Sequence, residues 1–248
     1  MLSVTSLAVI VLALLSVVST VIGVGLAFYF KKSVRGIVWG IGFSTGIMLL
    51  VSCSELLPES ISSIGFAPTF VAFALGIVFI GILNFIIPHT HLGEGKNGRE
   101  RRLLKIAWLI VFGLILHDFP EGFAMATSYI HEPSLGIFVA LAIALHNIPE
   151  EFAMAVPLLL TKKKKLIFKT AILSALAEPA GAVLGLVAVE FLPSLSQQFM
   201  AFAAGTMVFV SLHELWPMAK SYGKNLFFFL GIFFSVAVYL GLSGVIAK

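Results

Sequence analysis

Apolar residues run along this chain in blocks of about twenty, the length a helix needs to cross a hydrocarbon core about 30 Å thick. The blocks fall near 5–30, 35–57, 66–88, 104–129, 134–160, 166–191, 197–219 and 225–246. The connections are short, except for the polar third one, "HTHLGEGKNGRERR", which reads as a flexible loop at about 89–103. The pattern predicts an all-α membrane protein of eight transmembrane helices, forming one domain over residues 1–248. The first block lacks a basic leading region and a convincing cleavage site, so it reads as a retained helix rather than a signal peptide.

Polar positions break this pattern in a patterned way. "HDFPEGFAMA" (117–126) and "HNIPEEFAMA" (146–155) match at seven of ten positions and lie on consecutive spans. Consecutive spans run in opposite directions, so an axis in the membrane plane relates the two copies. A weaker echo joins "SELLP" (54–58) in the second span to "HELWP" (213–217) in the seventh. Together they predict a 3+2+3 arrangement, in which three helices are repeated upside down around a central pair. Such inverted repeats build sites that can open to either side of a membrane.

Composition adds two constraints. Hydrophobic residues make up 59% of the chain and charged residues only 11%, which excludes an ordinary soluble domain. Of the sixteen Lys and Arg residues, fifteen lie in odd-numbered connections and only Lys248 on the other side. By the positive-inside rule the odd loops are cytoplasmic and both termini outside. The basicity is topological, and no nucleic-acid patch emerges. Cys53 is the only cysteine, which rules out an intramolecular disulfide and a CxxC metal site.

The central pair carries the chemistry. His117 and Glu121 are four residues apart and share a helix face, as do His146 and Glu150. Asp118 and Asn147 flank those faces. Pro120 and Pro149 cannot bond to the carbonyls of Leu116 and Leu145, which frees those oxygens beside the cluster and allows a kink in each helix. Span six adds Glu178. A charge at mid-bilayer costs at least about 2.5–3.5 kcal/mol on insertion scales. Lys105 and Lys169 lie only at the starts of these spans, and no Lys or Arg deeper within them offsets Asp118, Glu121, Glu150 and Glu178. The countercharge must be protons, a bound cation or both. Imidazole combined with carboxylate suits Zn²⁺ and neighbouring transition metals, and this many donors would serve two adjacent positions bridged by Glu121 and Glu150. The plain alternative is a buried polar network that only joins helices.

With these residues the chain resembles the ZIP (Zrt/Irt-like) family of divalent metal transporters, in particular its prokaryotic ZupT- and GufA-like members. The family pattern H-N-x-P-E-G is matched by His117, Pro120, Glu121 and Gly122, and by His146, Asn147, Pro149 and Glu150. The resemblance implies transport of Zn²⁺, Fe²⁺, Mn²⁺, Co²⁺ or Cd²⁺ toward the cytoplasm across the cell membrane, with a homodimer as one assembly. It also implies a binuclear site between helices four, five and six. One position would be lined by His117, Glu121, His146 and Glu150, the other by Asp118, Glu121, Asn147, Glu150 and Glu178. Two residues depart from the pattern. Asp118 replaces the usual asparagine, adding an anionic oxygen to the second position that would either strengthen binding there or favour harder ions such as Mn²⁺ and Fe²⁺. Glu151 replaces the usual glycine, as an outer ligand or a solvated cavity acid.

Peripheral residues have two readings each. His213 and Glu214, with Glu55 opposite them in the repeat, would line the metal's way in or form interhelical hydrogen bonds. His89 and His91 would capture departing metal or merely be solvated. His131 and Glu132 read as ordinary loop residues, and Met125 and Met154 as packing. The glycines at 36, 40, 42 and 46 permit close helix contact. Two other function classes compete with transport: an intramembrane metal-dependent hydrolase and a metal sensor. The zincin HExxH motif is absent, since Leu215, Trp216 and Pro217 follow His213 and Glu214. An inverted repeat serves two-sided access, which neither alternative needs.

Overall fold

The computed structural model describes residues 4–30, 33–86, 118–160 and 164–246, and these form helices and short turns with no strand. The helices are α1 (Val4–Phe30), α2 (Val34–Leu50), α3 (Leu57–Ile64), α4 (Phe66–Ile86), α5 (118–131), α6 (Pro133–Leu160), α7 (Lys164–Phe191), α8 (Ser196–Val210), α9 (Trp216–Ser221) and α10 (Asn225–Ile246). Among the described residues, seven helical stretches are long and apolar enough to cross a membrane. Two of these are compound: α2 runs into α3 across Val34–Ile64, and α8 into α9 within Pro193–Ser221.

Each compound helix is continuous because a wider turn absorbs a proline. Pro58 and Pro217 have no N–H, and their rings crowd the carbonyl four residues back. The preceding turn therefore opens. Leu57 N–H bonds the Ser52 carbonyl and Trp216 N–H bonds the Ser211 carbonyl, five residues back in both cases. This explains why the second span does not end near 57, as hydropathy predicts, but continues to Ile64. It stops at Gly65, whose φ of 84° is open to glycine at little cost. At the other end of this span, Ser33 caps α2 by accepting a hydrogen bond from Gly36 N–H at 3.1 Å.

The two wide turns match beyond their hydrogen bonds. From Ser52 to Ser60 and from Ser211 to Ala219, the order of buried, half-buried and exposed positions is the same, residue for residue. Helix crossings match as well. A Cβ on Gly23 of α1 would run into the Ile148 carbonyl and Phe152 N of α6; one on Gly181 of α7 would meet the Phe119 carbonyl and Phe123 N of α5. Those contacts are the third and seventh residues of the two sequence copies. In the same way, Gly42 and Gly231 put the backbones of α2 and α10 in contact, and Gly76 and Gly205 those of α4 and α8.

The glycines of α2 thus serve two faces. Gly40 abuts the Pro149 carbonyl of α6, whereas Gly42 and Gly46 abut α10. Lying between two neighbours, α2 is mostly buried, as is α6, while α4 and α10 are mostly exposed. Their exposed faces are apolar, with Phe66, Phe70 and Phe79 on α4 and Phe229 and Phe233 on α10, as a lipid-facing perimeter requires. Helix α6 is helical through Pro149. On either side of the carbonyl this proline frees, Ser19 donates to the Ala144 carbonyl at 2.7 Å and Ser44 to the His146 carbonyl at 2.8 Å.

Candidate metal centre

Helices α5, α6 and α7 bring their acids together in a buried interior. Asp118 and Glu121 come from α5, His146, Asn147, Glu150 and Glu151 from α6, and Glu178 from α7; all seven are buried. Glycine permits the approach. Gly122 lies against the backbone of Glu178, and a side chain there would strike the Glu178 carbonyl. No Lys or Arg occurs on α5 or α6, and those of α7 lie only near its start, at Lys164, Lys165 and Lys169. Four of the five buried carboxyl groups therefore sit on helices without a basic side chain, and the fifth, Glu178, lies nine residues beyond the last lysine of α7.

Two overlapping donor sets result. One ligand atom each from Glu121, His146 and Glu150 lie within 4.8 Å of one another, and so do one each from Asp118, Glu121 and Glu178. Two ligands bound to one zinc at about 2.0–2.2 Å stand at most roughly 4.4 Å apart, so a small contraction closes either set on an ion. Glu121 belongs to both. Its Oε2 is buried without a hydrogen-bond partner among the described residues, a costly state for a carboxylate oxygen.

Hydrogen bonds orient the histidine as a metal ligand needs. His146 Nδ1 is 3.0 Å from the Ala142 carbonyl, which can only accept, so Nδ1 carries a hydrogen. In the neutral ring the Nε2 lone pair then points at Glu121 Oε1, 3.0 Å away, with Glu150 Oε2 at 3.9 Å. A lone pair facing carboxylate oxygens needs positive charge between them, from a proton or a cation. Backbone carbonyls commonly orient metal-binding histidines in this way. Asn147 donates through Nδ2 to Glu178 Oε1, which leaves its carbonyl oxygen available as a ligand.

Glu151 is buried; Thr20 of α1 donates to its Oε1 at 3.2 Å and Ser174 of α7 lies against the same oxygen. Ser174 also donates to Asp118 Oδ2 at 2.6 Å. The two departures from the family pattern, Asp118 and Glu151, thus meet at one hydroxyl. Sequence reading missed Ser174 and Thr20; spacing puts Ser174 on the face of Glu178, four residues on, and Ser16, Ser19, Thr20 and Gly23 on one face of α1, but does not say what their hydroxyls bond.

Other sequence candidates lie elsewhere. His89, His91 and His117 are outside the described residues. Glu55, His213 and Glu214 belong to neither donor set. Tyr239 of α10 donates to Glu55 Oε1, so Glu55 makes an interhelical hydrogen bond. His213 is exposed, with the Phe209 ring 4.7 Å away, and Glu214 is half-buried. Met125 and Met154 are buried, Met125 within the apolar core. His131 is no plain loop residue: ending α5, it contacts Glu59 of α3 at 2.7 Å and Gln197 of α8. Half-exposed pairs of this kind contribute about 0.2–1 kcal/mol. His131→Ala should lower the melting temperature by a few degrees and leave zinc affinity unchanged, measured by scanning fluorimetry and calorimetry.

Comparison with known proteins places the chain in a family. Residues 88–243 match the family described as ZIP Zinc transporter. The chain is 38% identical over 245 residues to a protein named Zinc transporter ZupT from Corynebacterium aurimucosum, covering 92% of each chain. A protein of that name from Stenotrophomonas maltophilia is 36% identical over 84% of each chain, and one from Salmonella heidelberg 35% identical over 96% of each. These relatives are named as transporters and not as enzymes, which removes the hydrolase from consideration. Long apolar helices, two donor sets sharing Glu121 and relatives matched over most of their length lead to one conclusion: the chain belongs to the ZIP zinc transporter family.

Proposed function

We propose that this protein carries divalent transition-metal ions, zinc foremost, across the cell membrane toward the cytoplasm through a two-position site between α5, α6 and α7. The observation that carries the proposal is Glu121, a buried carboxylate shared by two donor sets, with no Lys or Arg among the described residues of α5 and α6. The first position is lined by Glu121, His146 and Glu150, with His117 assigned by the repeat. The second is lined by Asp118, Glu121, Asn147, Glu150 and Glu178. Fe²⁺, Mn²⁺, Co²⁺ and Cd²⁺ are further candidates, and a homodimer is the assembly that the family resemblance suggests.

The protein is read as one domain of eight spans in a 3+2+3 inverted repeat, with both termini outside. The matched wide turns, the equivalent crossings of α1 on α6 and α7 on α5, and those of α2 on α10 and α8 on α4, support the inversion. Two pseudo-equivalent halves let one site face either side in turn.

Ligands must be deprotonated to hold metal, so protons compete with zinc. Lowering the external pH from about 7.5 to about 5.5 should cut zinc uptake several-fold at sub-saturating zinc. Vesicles that hold the purified protein and a fluorescent zinc chelator would report this. Uptake no faster than in protein-free vesicles would refute the transport reading.

A further inference from the structure

We propose that Ser174 is a specificity-determining positioning residue: its hydroxyl holds one Asp118 oxygen, so Asp118 offers the second metal position a single oxygen instead of two. The inference rests on the two-position metal site proposed above.

Ser174 lies on α7, buried, one turn before Glu178. It donates to Asp118 Oδ2 at 2.6 Å. A hydroxyl has one hydrogen, so it serves one carboxylate at a time. Thr20 also donates to the Glu151 oxygen within reach of Ser174, so Glu151 keeps a hydroxyl donor when the Ser174 hydrogen turns to Asp118. Held in this way, Asp118 has one oxygen committed to the hydroxyl, which disfavours turning both oxygens to one cation. Asn147 does the same to Glu178, whose Oε1 takes its amide hydrogen.

Denticity decides which metals fit. Zinc takes four ligands in most protein sites and is served by carboxylates giving one oxygen each. Larger, harder cations take six or more oxygens and use carboxylates in bidentate fashion. Asp118 adds an anionic oxygen that by itself would favour such ions. Ser174 offsets that bias by keeping the coordination number low.

The test is calorimetric titration of the detergent-solubilised full chain with Zn²⁺ and Mn²⁺, which needs no transport. Ser174→Ala should raise the ratio of Mn²⁺ to Zn²⁺ affinity by about tenfold, in the range that altering an outer partner of a metal ligand produces. Ser174→Thr keeps the hydroxyl and should restore the wild-type ratio to within about twofold. In an Asp118→Asn background, Ser174→Ala should no longer shift the ratio, because the carboxylate it restrains is gone. An unchanged ratio in Ser174→Ala, equal loss of both metals, or a shift that persists beside Asp118→Asn would each overturn the inference and leave the transport reading intact. Wild-type protein that binds neither metal would overturn both.

Discussion

Glu121→Ala should abolish zinc binding at both positions at once, a loss of at least roughly 100-fold in affinity, beyond what removing an outer partner costs. The reason is its place in both donor sets: Glu121 stands with His146 and Glu150 on one side and with Asp118 and Glu178 on the other. Alanine removes an oxygen from each set and leaves His146 Nε2 without its neighbour at 3.0 Å. Asp118→Asn should behave differently, weakening only the second position. Calorimetric titration separates the cases: two classes of site in wild type, one altered class in Asp118→Asn, none in Glu121→Ala. A Glu121→Ala protein that keeps both classes would show that the shared carboxylate is not the bridge.

Gly122→Ala should cost nearly as much by another route. The added methyl would strike the Glu178 carbonyl, which is backbone and cannot swing aside. Helices α5 and α7 would have to separate, carrying Glu178 away from Asp118 and Glu121. Forcing atoms into a packed interior typically costs about 1–3 kcal/mol. A metal site is less tolerant still, since its donors must converge on one point. The expected result is a lower yield of folded protein, with zinc affinity lost in whatever folds. Gly25→Ala on α1 is the control, because nothing lies within 4 Å of its added methyl. Size-exclusion profiles and zinc titration of the two variants measure the contrast. Equal behaviour would mean that the α5–α7 approach does not hold the site.

Much of this architecture was legible in the sequence because membrane solvent imposes strong rules. A helix apolar enough for lipid shows as a run of about twenty residues, and acids on it stand out because burying them is expensive. The two "FAMA" copies suggested which positions correspond, and the crossings at Gly23 and Gly181 meet the third and seventh residues of each copy. What hydropathy does not encode is hydrogen-bond register. The wide turns before Pro58 and Pro217 left no trace in the apolar pattern, although the prolines that cause them were visible. Hydroxyls were overlooked for a related reason. Ser and Thr sit quietly in apolar helices by bonding their own backbone, as Thr127 does to Phe123. Sequence alone does not tell such a residue from Ser174, which reaches across to two carboxyl groups. The burial of Glu151 likewise depends on a partner on α1, more than a hundred residues away in sequence.

The most direct test of the central claim is the flux of radioactive zinc into proteoliposomes holding purified wild type or Glu121→Ala, with excess Mn²⁺, Fe²⁺ or Cd²⁺ as competitors. Transport through the shared site predicts saturable flux in wild type, none above background in the variant, and a competition order that ranks the metals. Tight zinc binding with no flux of any metal would contradict it, and would make the buried cluster a metal sensor's site.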